Sequence, residues 1–151
     1  TSPGFLFATL LWHEALAAWE ARKQNGEPPI PALHGAMDEV LDIQGGKLAI
    51  TRRIAADIKD IWILQPRLEN RSGRRPLRVV EQPRFKAGYD FLLLRAESGE
   101  VAQELADWWR AFLDADTEAR LAMLTPEKKP ARRKRRRRKG GGDSADPEGG
   151  G

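Results

Sequence analysis

The chain contains no cysteine, which removes disulfides, thiolate metal ligands and cysteine nucleophiles together. Long apolar runs are missing too. The best of them, Phe5 to Leu16, is broken by His13 and Glu14 and falls short of the roughly 20 residues a bilayer span needs. The start lacks the basic-then-apolar pattern of a secretory signal. No stretch alternates polar and apolar residues as a half-buried strand would. These absences point to a soluble protein of a reducing cytoplasm with no membrane partner. A first residue that is Thr1 and not methionine points to a piece of something longer.

What is present is charge, unevenly placed. The 151 residues are 40% hydrophobic and 32% charged, about one domain with enough apolar surface for a core. The net +4 averages two unlike regions: residues 1–124 sum to −2 and residues 125–151 to +6. The first region is read as a folded body. The second holds Pro, Lys, Arg, Gly and Asp with nothing apolar to bury, and is expected to be a disordered basic tail.

Apolar periodicity divides the body into helices. Ser2 caps and Pro3 opens the first, with Phe5, Leu6, Leu10, Leu16 and Trp19 as its apolar stripe and Gly26 as its stop. Glu27 to Pro31 reads as a loop, and a shorter helix from Ala32 to Ile43 ends at Gly45-Gly46. Thr51 caps a third, whose stripe is Ile54, Ile58, Ile61 and Trp62. Pro66 is expected to kink that helix. Pro76 to Gln82 forms a short helix, and Pro83 opens another with Phe85, Tyr89, Leu92 and Leu93 buried. Val101, Leu105, Trp108, Trp109 and Phe112 define the next, and Thr117 begins a last short one. The expected fold is all-α, an irregular bundle of about six helices ahead of the tail.

The tail's run Arg132, Arg133, Lys134, Arg135, Arg136, Arg137, Arg138, Lys139 suits a nucleic-acid arm, a membrane-surface anchor or a solubilising tail. The guanidinium density, each a planar fork matched to phosphate oxygens, favours nucleic acid. No amphipathic helix adjoins the run to enter lipid. The body has its own basic stretch: Arg67, Arg71, Arg74, Arg75, Arg78, Arg84 and Lys86 against Glu69 and Glu81. That stretch is either a solvated helix face or an RNA-facing surface. Of the tryptophans, Trp12, Trp19, Trp62 and Trp108 read as core, and Trp109 is the candidate for stacking on bases.

Catalytic patterns are scarce. His13-Glu14 lacks the second histidine of a zinc motif, and His13 and His34 read as incidental. Gly45-Gly46-Lys47 lacks the spacing and the Ser/Thr of a phosphate loop. Asp114-Ala115-Asp116 has the spacing of a magnesium-binding pair but sits where one helix ends and another begins, so it reads as structural. No catalytic residue and no metal ligand is assigned.

Four segments in order, "FLFATLLW" (5–12), "LAITRRIAADIKDIWILQPRL" (48–68), "PRFKAGYDFLLLRAESGE" (83–100) and "ADWWRAF" (106–112), followed by the arginine-rich run, resemble the carboxy-terminal part of the bacterial poly(A) polymerases. The resemblance covers nearly the whole chain. It implies an all-helical region that follows a catalytic head and holds single-stranded RNA 3′ ends while adenylates are added from ATP. The glycine-rich turn and Asp-x-Asp pair that serve ATP and Mg²⁺ in the parent would lie upstream, so this piece should have no cofactor and no activity alone. The alternative expectation is a protein-interaction module that docks onto RNA-decay proteins while the tail tethers it to RNA. A tail of a CCA-adding enzyme is disfavoured by the arginine run.

Overall fold

In the computed structural model, which describes residues 2–126, two caps anticipated from the sequence start the first and third helices. The Ser2 hydroxyl accepts from Phe5 N–H at 3.2 Å and opens α1 (Pro3–Gln24). Thr51 accepts from Ile54 N–H at 3.2 Å and opens α3 (Arg52–Glu69). Between them runs α2 (Pro29–Leu48). Then follow α4 (Arg75–Val79), α5 (Phe85–Glu97), α6 (Gln103–Asp114) and α7 (Thr117–Met123). The fold is all-α, with seven helices among the described residues. Their only ladder contact is an isolated bridge between Ser72 and Thr125. None of these helices is long and apolar enough to cross a membrane.

α3 is the axis of the molecule. Its Ile58, Ile61 and Trp62 are buried with Leu11, Trp12, Leu33, Met37 and Phe91 in one apolar cluster. Its Leu64 and Leu68 belong to a second cluster with Val79, Leu92, Leu105, Trp109 and Phe112. At about 25 cal/mol per Å² of apolar surface, each such large side chain is worth roughly 2 kcal/mol when withdrawn from water. Trp62 satisfies its ring N–H on the Ala8 carbonyl at 3.2 Å, so burying it leaves no donor unpaired.

Several expected boundaries and stripes shift. α2 starts at Pro29 because prolines 29 and 31 occupy the first turn, where a helix has no acceptor for its N–H groups. It also runs through Gly45-Gly46 and ends where Ala49 takes the left-handed conformation, φ 55°. The glycine cost of about 1 kcal/mol each is small beside the packing of Met37, Val40 and Leu41 upstream. α1 buries Ala8, Leu11, Trp12 and Ala15, not the expected stripe: Leu6 and Leu10 are 59% and 62% exposed. Small residues set this face, since alanines let α2 and α3 approach closely. In α5 Leu92 is buried as expected, but its companion in the core is Phe91, and Leu93 is only half-buried. Pro66 lies inside α3, which continues to Glu69 with Gln65 and Leu68 both fully buried.

Candidate nucleic-acid interface

The C-terminal turn of α3, the loop after it and α4 carry most of the body's basic stretch. Because α4 is pinned through buried Pro76 and Val79, its charged positions Arg74, Arg75 and Arg78 stay exposed. Arg67 leaves the exposed side of α3 one turn above. Arg67, Arg75 and Arg78 come together with Pro66, Asn70 and Ile30 around a cleft of about 370 Å³. Among the described residues, no ion pair engages Arg67, Arg74 or Arg78. Arg75 donates to the Ser72 hydroxyl at 2.9 Å. Ser72 in turn is held by Asn70, whose Oδ1 accepts from its hydroxyl at 2.8 Å and from its N–H at 3.3 Å.

The other three expected residues lie elsewhere or are occupied. Arg71 makes a two-pronged pair with Glu104 on α6 at 2.7 and 3.1 Å, and its guanidinium lies 5.5 Å from the Trp108 ring. That hydrogen-bonded guanidinium holds the Glu104 carboxyl below the usual carboxylate range. Arg84 and Lys86 line a separate cleft of about 390 Å³ with Ser2, Phe5, Pro83, Ala87 and Asp90. There Lys86 pairs with Asp90 at 2.9 Å, and Arg84 stands 3.8 Å from Asp57. The stretch read as one surface is therefore two, and Arg71, Arg84 and Lys86 are answered by the body's own carboxylates.

The tryptophan assignment changes at Trp109, which is fully buried and donates to the Leu68 carbonyl at 2.8 Å, whereas Trp108 is partly buried against the same cluster, with Arg71 beside it. Adjacent helical residues point about 100° apart, so the two could not face the core equally. The stripe Leu105, Trp109, Phe112 selects Trp109. Trp19 is likewise partly buried, against the first cluster, its N–H on the Pro29 carbonyl at 2.8 Å. Ile30 and Asn70 were missed by sequence reasoning. Ile30 is flanked by prolines and gives no charge signal, and Asn70 looks like an ordinary residue after a helix.

The run Arg132 to Lys139 lies outside the described residues. Ser72 pairs with Thr125, and Gly73 N–H donates to the Thr125 carbonyl at 3.0 Å. The last described residues thus lie against the loop between Arg71 and Arg74. His13 and His34 are exposed on different helices. Among the described residues, no group of three or more His, Cys, Asp and Glu is placed to hold a metal ion. The residues present do not fit ATP with Mg²⁺ either: Asp116 caps α7, its Oδ1 accepting from Ala119 N–H at 2.8 Å, and no glycine-rich turn adjoins Asp114.

Comparison with known proteins matches residues 25–140 to the family described as Polymerase A arginine-rich C-terminus. Poly(A) polymerase I of Haemophilus influenzae is 38% identical over 132 residues, covering 85% of this chain and 29% of that protein. Poly(A) polymerase I of Escherichia coli O6:H1 is 39% identical over 137 residues, covering 87% and 30%. For Salmonella typhi the figures are 39% over 114 residues, 74% and 24%. The chain spans under a third of the length of these relatives. A match across most of the chain, arginine run included, shows that it belongs to the family of poly(A) polymerase arginine-rich C-termini.

Proposed function

We propose that this chain is the RNA-holding part of a bacterial poly(A) polymerase, acting in the cytoplasm, whose full-length form adds adenylates from ATP to RNA 3′ ends with Mg²⁺. The head that would bind ATP and metal has no counterpart in these residues. This part supplies grip. Guanidinium groups on Arg67, Arg74, Arg75 and Arg78 bind phosphate oxygens, which every nucleotide presents alike, so RNA of any sequence can be held as its end grows. The arginine-rich arm adds further phosphate contacts to the same strand.

The observation that carries this reading is the Ser72–Thr125 bridge, because it sets the last described residues before the arm beside Arg74 and Arg78, which no ion pair engages among the described residues. An arm and a patch so joined can engage one strand together, and the second contact forms at a high effective concentration. The test is fluorescence anisotropy of a labelled single-stranded RNA across a salt series, with the full chain and with one ending at Pro126. If the arm neutralises about six phosphates, truncation should flatten the log-log salt slope by about 4, with weaker binding remaining. Charge reversal at Arg67, Arg74 and Arg78 in the truncated chain should abolish the remainder. Residual binding untouched by that reversal would move RNA off this face and favour a protein dock.

A further inference from the structure

The cleft among Arg67, Arg75 and Arg78 is more than a set of charges, because one wall of it is apolar. Ile30, at the start of α2, is 45% exposed and lines it, and Pro66 of α3 lines it too. A branched aliphatic side chain left open to water beside three guanidinium groups has nothing to gain from phosphate. It can gain from a flat apolar ligand face laid on it, at about 25 cal/mol per Å² covered. The volume, about 370 Å³, is at the small end of ligand pockets and suits one nucleotide, not a longer segment. Asn70 completes the lining. Its Oδ1 is taken by Ser72, which leaves the Nδ2 donors for the edge of a base.

We infer that this cleft receives a single unstacked nucleotide of a bound RNA strand, its base against Ile30 and Pro66 and its phosphate on Arg67 and Arg78, with Arg75 positioned by Ser72. The inference rests on the RNA-holding reading and deepens it: the body recognises single strands, because a base within a duplex cannot leave its stack to enter. The pocket is built at the junction of α2, α3 and α4, so its shape belongs to the fold and not to a loop. Neither contact reads base identity in full, so all four nucleotides should enter.

The experiment is residue-resolved NMR of the full chain titrated separately with AMP, ribose 5-phosphate and a tetraglutamate peptide. AMP should shift the Ile30 methyl signals and the Arg67 and Arg78 side chains, and bind about fivefold tighter than ribose 5-phosphate. Ile30→Ser, at an exposed position, should erase that difference while the arginine shifts persist, and Arg78→Ala should weaken both phosphate ligands. Equal binding of AMP and ribose 5-phosphate would overturn the base pocket and leave the RNA-holding face standing. Tighter binding of tetraglutamate than of AMP at this cleft would overturn both, and assign the face to an acidic protein partner.

Discussion

Arg95 is a charged side chain with 6% of its surface exposed, and its neighbours answer it on three sides. Its Nε donates to Glu100 at 2.9 Å, one Nη to Gln65 at 2.9 Å and the other to Glu69 at 3.0 Å. Gln65, fully buried, returns its own amide to the Ile61 and Gly88 carbonyls at 2.8 and 3.2 Å. Glu100 also accepts from the Trp12 ring N–H at 2.9 Å. The planar fork meets the three acceptors from three separate nitrogens, where an ammonium has its donors on one. Arg95→Leu should therefore cost about 2–4 kcal/mol in urea unfolding, chiefly from acceptors left without donors, and Arg95→Lys should recover less than half of it. A loss below about 1 kcal/mol would mean that water replaces the guanidinium. None of this was legible beforehand: Arg95 and Gln65 sit in apolar stretches as ordinary surface residues would. Trp108 and Trp109 show the same limit, since periodicity said the two could not face the core equally but could not choose.

At the scale of elements, helix existence was legible and the faces were less so. Ser2, Thr51 and Asp116 announce helix starts through short side chains that reach the next turn. The buried face of α1 escaped because its alanines and Gly4 carry little apolar weight, although close approach depends on them. α5 makes the same point. A Cβ built on Gly88 would lie 2.7 Å from Leu64 Cδ1 and 3.2 Å from Leu64 Cβ, and Leu64 is 2% exposed with no room to retreat. Gly46 of α2 meets nothing within 4 Å. In both helices alanine brings about 1 kcal/mol of helix propensity. At Gly88 the overpacking cost of about 1–3 kcal/mol wins, so Gly88→Ala should lower stability by about 1 kcal/mol. Gly46→Ala should raise it by up to about 1 kcal/mol. Equal effects at the two sites, measured by denaturant midpoint, would show that α3 and α5 can slide apart at no cost.

Across the whole molecule, the body's arginines divide between those its own carboxylates hold and those, Arg67, Arg74 and Arg78 among them, that no ion pair engages among the described residues. The sequence made the arginine excess plain but not this division, because partners such as Glu104, Asp57 and Asp90 become neighbours through folding. Arg71 is the instructive case: it stands next to Ser72, which pairs with Thr125, yet Glu104 grips it in two hydrogen bonds and Trp108 lies against its face. On the proposed RNA-holding role, a strand reaching Arg71 has to compete with Glu104 for it. The carboxyl's lowered pKa fixes the sign with pH. A group depressed in the folded state adds stability above its unfolded value, near 4.3, and that stability is lost as pH falls through the folded value. The pair is thus intact at neutral pH and opens only in acid. Glu104→Gln should release Arg71 at every pH. It should then tighten single-strand RNA binding a few-fold at low salt and steepen the salt slope by about 0.7, the increment of one added phosphate contact. Unchanged slope together with unchanged affinity would mean that the strand never reaches Arg71, and that the path from the arm runs directly to Arg74 and the cleft beside it.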